Sequence, residues 1–172
     1  SLVNLGVLAL QKGSLADAVS TWTRVLDLLS HQQTELRADT LDNRATARLS
    51  LGDYDAALRD YHAAMLLHKE NSSIKGQGRS LSGIATTYQH LGELSAARES
   101  YEASLEFRQE ASDLRGITST LTYLGDVCRQ LGDIECALDA HRQAAELAPN
   151  EIFRVKAEIA LAVDHLTSGD PR

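Results

Sequence analysis

A glycine recurs along this chain at a nearly constant interval. The intervals are 39, 40 and 40 residues, and the four glycines are Gly13, Gly52, Gly92 and Gly132. An alanine follows each of them by five residues, at Ala18, Ala57, Ala97 and Ala137. A ring follows each by nine residues, at Trp22, Tyr61, Tyr101 and His141. Such a period predicts one short supersecondary unit that is repeated and stacked on itself.

Two helices that meet at the glycine are predicted in each copy. Apolar residues recur at steps of three and four on both sides of the glycine, as in amphipathic helices. Glycine tolerates the left-handed conformation that ends a helix, and the serine or acid after it favours a new helix start. The alanine lets the two helices approach closely, and the ring fills the space between one pair and the next. The nine expected helices span about 2–12, 15–31, 35–51, 54–70, 74–91, 94–111, 114–131, 134–148 and 151–168.

These pairs predict an all-α fold, a right-handed superhelical stack (α-solenoid) of antiparallel helix pairs. The first helix of each pair is expected to line its inner surface. We expect one repeat domain over residues 1–172, with copies at about 1–33, 34–72, 73–112 and 113–150 and a partial copy at 151–172. The start at Ser1 without an initiator Met suggests a fragment of a longer protein. Exposed leucines near this start predict end-to-end self-association of the fragment, namely Leu2, Leu5, Leu8 and Leu10.

Composition and charge restrict the function. The chain has 17 Lys and Arg against 24 Asp and Glu, and the acidic excess lies in residues 93–172. Because a nucleic-acid-binding surface needs a basic face, direct binding of nucleic acid is disfavoured. No stretch is long and apolar enough to span a membrane. Cys128 and Cys136 lack the spacing of a zinc site or a disulfide framework, so we expect reduced thiols in a cytoplasmic protein.

The fourth copy carries the residues that point to a family. Its sequence YLGDVCRQLGDIECALDAHRQAAELAPN, residues 123–150, resembles the tetratricopeptide repeat, with Leu-Gly, Leu-Gly-Asp, Ala and Pro in the family's order. The period here is about 40 residues rather than 34, and the extra residues surround Gly76 and Gly116. This long form is similar to the repeats of Pins-type adaptors, kinesin light chains and bacterial multidomain regulators. The resemblance implies a non-catalytic module without a cofactor that binds a protein or peptide segment in its concave groove.

The groove that this resemblance implies is polar and of mixed charge. Its candidate peptide-binding residues are Asp39, Asp42, Asn43, Thr46, Arg79, Ser82, Thr86, Gln89, Thr122, Asp126 and Arg129. One variant of the family grips a partner's terminal carboxylate. Asn43 and Arg79 match that set of residues, whereas Val3, Val7 and Gly83 do not, so this clamp is disfavoured. The surface favours an extended peptide or a partner helix held by side-chain hydrogen bonds.

Three classes of function stay open. A binding scaffold predicts that Arg79→Glu or Arg129→Glu weakens a partner without affecting the fold. A sensor segment of a bacterial regulator predicts that the ligand is a signalling peptide or an effector domain of the same chain. An enzyme is disfavoured because no convergent set of titratable groups is visible, and no histidine has the spacing of a helical metal site. Arg44 and Arg48 stand where other copies are apolar, and we expect their charged ends to reach water.

Overall fold

The computed structural model describes residues 14–168, which form eight α-helices and no strand. The helices are α1 (Leu15–Leu28), α2 (Thr34–Ser50), α3 (Tyr54–Glu70), α4 (Ile74–Leu91), α5 (Leu94–Glu110), α6 (Leu114–Leu131), α7 (Ile134–Glu146) and α8 (Glu151–Ser168). The all-α prediction is confirmed. The predicted helix at 2–12, with its leucines, and Gly13 lie outside the described residues. Between residues 14 and 168, no helix is both long and apolar enough to cross a lipid bilayer.

Neighbouring helices in the sequence are also neighbours in space. Each helix packs mainly against the one before it and the one after it. The helices α2, α4, α6 and α8 also contact one another in that order. The first helix of each pair therefore lies beside the first helix of the next pair, and together they form one face of the stack. This packing confirms the expected solenoid of helix pairs.

Three of the repeat glycines end their helices as expected. Gly52, Gly92 and Gly132 have φ angles of 80°, 79° and 80°, in the region that side chains other than glycine rarely adopt. The following helix then begins within two residues. The carboxylates of Asp53 and Asp133 accept a hydrogen bond from the backbone N–H three residues further on, as helix-capping acids do. The glycine and its successor thus turn the chain back on itself.

The repeated alanines and rings form the core. The alanines are 0% exposed and the rings are at most 4% exposed. Tyr61 shows why the ring position repeats. Its ring packs on Gly83 of the next pair, where an added Cβ would lie 2.8 Å from ring atom Cδ1, and its hydroxyl lies 3.0 Å from Thr46 Oγ1. Tyr101 makes the same hydrogen bond to Thr86, at 2.8 Å. Each ring therefore joins one helix pair to the next, as predicted.

The extra residues of the long period create a further contact between copies. His68 of α3 lies against Gly76 at the start of α4, where an added Cβ would be 2.5 Å from Cγ of the imidazole. Arg108 of α5 passes Gly116 of α6 in the same way, with its Cζ 2.8 Å from the position of an added Cβ. Each glycine thus opens a passage for a polar side chain from the preceding helix. This is the structural reason for the two glycines at equivalent positions.

Cys128 of α6 and Cys136 of α7 form a disulfide, with their Cα atoms 5.7 Å apart. The expectation of reduced thiols is therefore wrong. The two residues lie four positions before and four positions after Gly132, so the turn at this glycine brings them face to face. The spacing argument missed the bond because it considered metal-binding and redox motifs, not the geometry of an antiparallel helix pair.

Candidate functional site in the concave groove

Three cavities follow one another along the face formed by α2, α4, α6 and α8. Cavity A, of about 220 Å³, lies between α2 and α4, and its lining residues are Asp42, Asn43, Thr46, Tyr61, Arg79, Ser82, Gly83, Thr86 and Arg108. Cavity B, of about 470 Å³, lies between α4 and α6, and its lining residues are Thr86, Gln89, His90, Tyr123, Asp126 and Gln130. Cavity C, of about 160 Å³, lies between α6 and α8, and its lining residues are Ser119, Thr122, Tyr123, Phe153 and Lys156.

The predicted groove residues are distributed over these cavities. Six of them line cavity A, namely Asp42, Asn43, Thr46, Arg79, Ser82 and Thr86. Thr86, Gln89 and Asp126 line cavity B, and Thr122 lines cavity C. Asp39 and Arg129 line none of the three but are ion-paired to residues that do. The structure thus brings the predicted residues onto one face, and their role in binding stays a prediction.

Tyr123 is the most exposed aromatic side chain in this face and was not predicted. It separates cavity B from cavity C, and its own ring is 46% exposed. It stacks on the buried Tyr101 with ring centroids 5.9 Å apart. A rigid, half-exposed ring between two cavities is typical of the anchors that carry binding energy at protein interfaces. Its position, nine residues before Gly132, holds Asn43 and Gly83 in the preceding copies, so no repeated pattern marked it.

Arg79 is held by the chain's own carboxylates. Its Nε donates to Asp42 at 2.8 Å, and its Nη2 donates to Asp39. The 4% exposed Asp42 also accepts a hydrogen bond from Ser80 Oγ at 2.7 Å, and His68 Nε2 lies 3.0 Å from it. Burial lowers the pKa of the Arg79 guanidinium, but the Asp42 carboxylate outweighs this and raises it overall. The expectation that Arg79→Glu leaves the fold unaffected is therefore wrong, because the change would place three carboxylates together.

Arg129 is also a structural cation. Its Nη1 donates at 2.9 Å to Asp164 of α8, which is 0% exposed, and its Nη2 donates to Asp126. His141 completes the cluster, since its Nδ1 contacts Asp164 and its Nε2 lies 3.0 Å from the carbonyl oxygen of Thr122. Arg129→Glu would bring a carboxylate beside the buried Asp164. The expected retention of the fold is wrong here too.

Arg44 and Arg48 do not extend into water as expected. Arg44 donates twice to Asp60 of α3, from Nε and Nη2, each at 2.7 Å, and Arg48 Nη1 donates to the same carboxylate at 2.8 Å. The Asp60 residue is 4% exposed. The two guanidinium groups therefore form an internal anion site that is filled by the chain's own carboxylate. Their polar character at apolar repeat positions is explained by this partner.

Arg108 is a groove cation that was also not predicted. Its side chain is 11% exposed, its Nη1 donates to Asp113 at 2.9 Å, and its Nε donates to Ser104 at 3.2 Å. Burial lowers the pKa of this guanidinium, and the charge of Arg79 adds to that effect, while Asp113 opposes it. A signal was present in the sequence, because Arg108 stands 16 residues after its repeat glycine, as His68 does.

Asp39, Asp42 and His68 place possible metal-binding atoms within 4.8 Å of one another. The guanidinium of Arg79 already lies on both carboxylates. A cation would have to displace Arg79 and would meet its positive charge. The group is better described as a buried ion-pair cluster than as a metal site.

Comparisons with known proteins agree with this geometry. The sequence model of the tetratricopeptide repeat matches residues 36–110 and 76–150. No curated protein gives a significant match. BtubC (BKLC) from P. vanneervenii is 20% identical, with a TM-score of 0.85 over 99% of this chain and 72% of its own. A putative kinesin light chain with TPR-like repeats from Podosopora anserina is 17% identical, with a TM-score of 0.78 over 98% and 86%.

A third solved structure is similar in fold and contains a ligand. It is the Rap conjugation gene regulator of the plasmid pLS20 in complex with the Phr* peptide, 16% identical, with a TM-score of 0.79 over 97% of this chain. This chain spans 47% of that regulator's length. At such identities the likeness concerns the fold alone, whereas the sequence match covers most of the repeats. The chain therefore belongs to the tetratricopeptide repeat family.

Proposed function

We propose that this chain is a non-catalytic binding module that holds a segment of a protein, or a peptide, along cavities A, B and C. The observation that supports this best is the continuous row of cavities on one face, with the half-exposed ring of Tyr123 between two of them. Polar groups alternate with apolar surface along this row. An extended segment or one face of a helix makes such contacts, whereas an apolar small molecule needs an enclosed pocket.

The second candidate is a sensor segment of a bacterial regulator that binds a signalling peptide. The similarity to the pLS20 Rap regulator, whose structure holds the Phr* peptide, favours it. Both candidates use the same groove, so they differ in the ligand and not in the site. We also propose that residues 1–172 form one repeat domain and that the protein is cytoplasmic. The disulfide between Cys128 and Cys136 is the observation that argues against that location.

Catalysis is not part of this proposal. The family's fold generally acts as a scaffold, and the one Asp-x-His pair in the sequence, Asp139 and His141, does not offer a free histidine. His141 is 0% exposed and is committed to Asp164 and to the carbonyl of Thr122. A substrate would have to unpack the core to reach its imidazole.

The test is selection of a phage-displayed library of random dodecapeptides against the purified domain. Selected peptides are then measured against Tyr123→Ser, which removes the exposed ring of the groove. The matched control is Leu66→Ser on α3, which removes a 64% exposed apolar side chain outside the three cavities. We expect Tyr123→Ser to weaken binding about tenfold or more, as loss of an aromatic anchor does, and Leu66→Ser to have no effect.

Two results contradict the proposal. One is that no peptide is selected. The other is that the selected peptides bind Tyr123→Ser as tightly as the unmodified domain, which would place binding on another surface. Circular dichroism of each variant establishes that the fold is retained.

A further inference from the structure

We propose that cavity A holds a carboxylate side chain of the bound segment between the guanidinium groups of Arg79 and Arg108. This inference rests on the proposed function and names the chemistry that one part of the groove recognises. Both arginines line the cavity. Each is fixed in place by its own acidic partner, so neither side chain has to be ordered when the ligand binds.

Each guanidinium has one terminal nitrogen that is not used within the protein. Arg79 uses Nε and Nη2 for Asp42 and Asp39, and Arg108 uses Nε and Nη1 for Ser104 and Asp113. In the described part of the chain, Nη1 of Arg79 and Nη2 of Arg108 have no hydrogen-bond partner, and neither is among the buried unpaired atoms. Both are therefore donors open to the cavity. Two such donors on opposite sides suit the two oxygens of a carboxylate.

The charges around the cavity favour one additional negative group on the Arg108 side. Arg108 shares Asp113 with Lys75, whose Nζ lies 3.6 Å from the same carboxylate, so two cations face one anion there. At the other side, Arg79 is matched by Asp39 and Asp42. A single carboxylate offsets the cationic excess, and the low exposure of Arg108 strengthens a charge-assisted hydrogen bond to it.

Neutral donors complete the lining. Asn43 and Thr86 face the cavity, and the Asn43 amide has no hydrogen bond within residues 14–168. Cavity C, two helix spacings further on, offers the rings of Tyr123 and Phe153. With about 8–10 Å between packed helices and about 3.3 Å per extended residue, the two cavities are about five or six residues apart along a ligand. We therefore expect an acidic residue at that distance from an apolar or aromatic one.

The substitution Asn43→Asp tests the inference without removing either arginine. It is isosteric and places a carboxylate of the chain itself in cavity A, where it competes with the ligand's carboxylate. The matched control is Gln130→Glu in cavity B, which adds the same charge to the groove away from both arginines. Dodecapeptides selected on the unmodified domain are measured against both variants, in pairs that carry either Glu or Gln at the acidic position.

We expect acidic residues to be enriched among the selected peptides and the change from Glu to Gln to weaken binding about tenfold or more. Asn43→Asp should lose that preference, and Gln130→Glu should keep it. Peptides that bind the groove without acidic enrichment, or acidic peptides that bind Asn43→Asp as tightly as the unmodified domain, overturn the inference and leave the proposed function standing. Failure to select any peptide overturns both.

Discussion

Replacing Gly76 by alanine tests the packing between copies most directly. An added Cβ would lie 2.5 and 2.6 Å from Cγ and Cε1 of His68, whereas carbon atoms in contact are normally about 3.5–4.0 Å apart. The imidazole is 1% exposed, and its Nε2 lies 3.0 Å from the carboxylate of Asp42. The ring has to move by about 1 Å, and this movement disturbs the ion-pair cluster that Arg79 shares.

The free-energy change has two opposing parts. Glycine to alanine inside a helix stabilises by about 1 kcal/mol. Overpacking a filled site costs about 1–3 kcal/mol, and a weakened hydrogen bond to a charged group costs about 1.5–3 kcal/mol more. We expect Gly76→Ala to lower the free energy of unfolding by about 1.5–5 kcal/mol. The matched control is Gly78→Ala in the same helix, where the nearest atom is Arg108 Cγ at 3.0 Å, on a flexible side chain.

Urea unfolding followed by far-UV circular dichroism measures both variants. The double variant with His68→Ala then identifies the cause, because removing the imidazole removes the clash. In that background Gly76→Ala should be neutral or stabilising. If Gly76→Ala stabilises the native chain by about 1 kcal/mol, as an ordinary helical glycine would, or if the two changes are simply additive, the explanation of the long repeat is wrong.

Three further outcomes are expected. Arg129→Glu should lower the free energy of unfolding by about 3–5 kcal/mol because it brings a carboxylate beside the buried Asp164; equal urea midpoints for this variant and the native chain would refute that. Burial raises the pKa of Tyr61 from 10.0 to about 12. Stability is therefore complete below pH 10 and falls by about 1.4 kcal/mol per pH unit up to the folded pKa, a loss that urea unfolding across this range should show and Tyr61→Phe should reduce. Reducing the bond between Cys128 and Cys136, which are eight residues apart, should cost about 2.5 kcal/mol, and unfolding with and without a thiol reductant measures it.

Local rules were enough to predict the helix pairs. Gly52, Gly92 and Gly132 end helices because only glycine adopts positive φ at little cost, and this property belongs to the residue itself. The alanines and rings at fixed offsets form the core because helical periodicity places them on one face. A one-dimensional stack repeats these local relations, so the period in the sequence maps directly onto the contacts between neighbouring helices.

The ion pairs between copies could not be predicted in this way. Arg79 and Asp42 are 37 residues apart, and Arg129 and Asp164 are 35 apart, so their pairing depends on how two copies are docked. Their residue types also differ from copy to copy, and no period marks them. The sequence indicated polar groove residues, but it could not distinguish a cation that is free to bind a ligand from one that is already neutralised.

The sequence alone determined the all-α repeat, the turn at each glycine and the inward rings, because these follow from backbone conformation and helical period. Tertiary structure decided which charges are satisfied. Docking of α3 against α4 and of α5 against α6 buried the His68 and Arg108 side chains, filled Asp60 with two guanidinium groups and joined Cys128 to Cys136. Desolvation and pairing energies depend on distances between side chains from different helices, and only the packed molecule defines those distances.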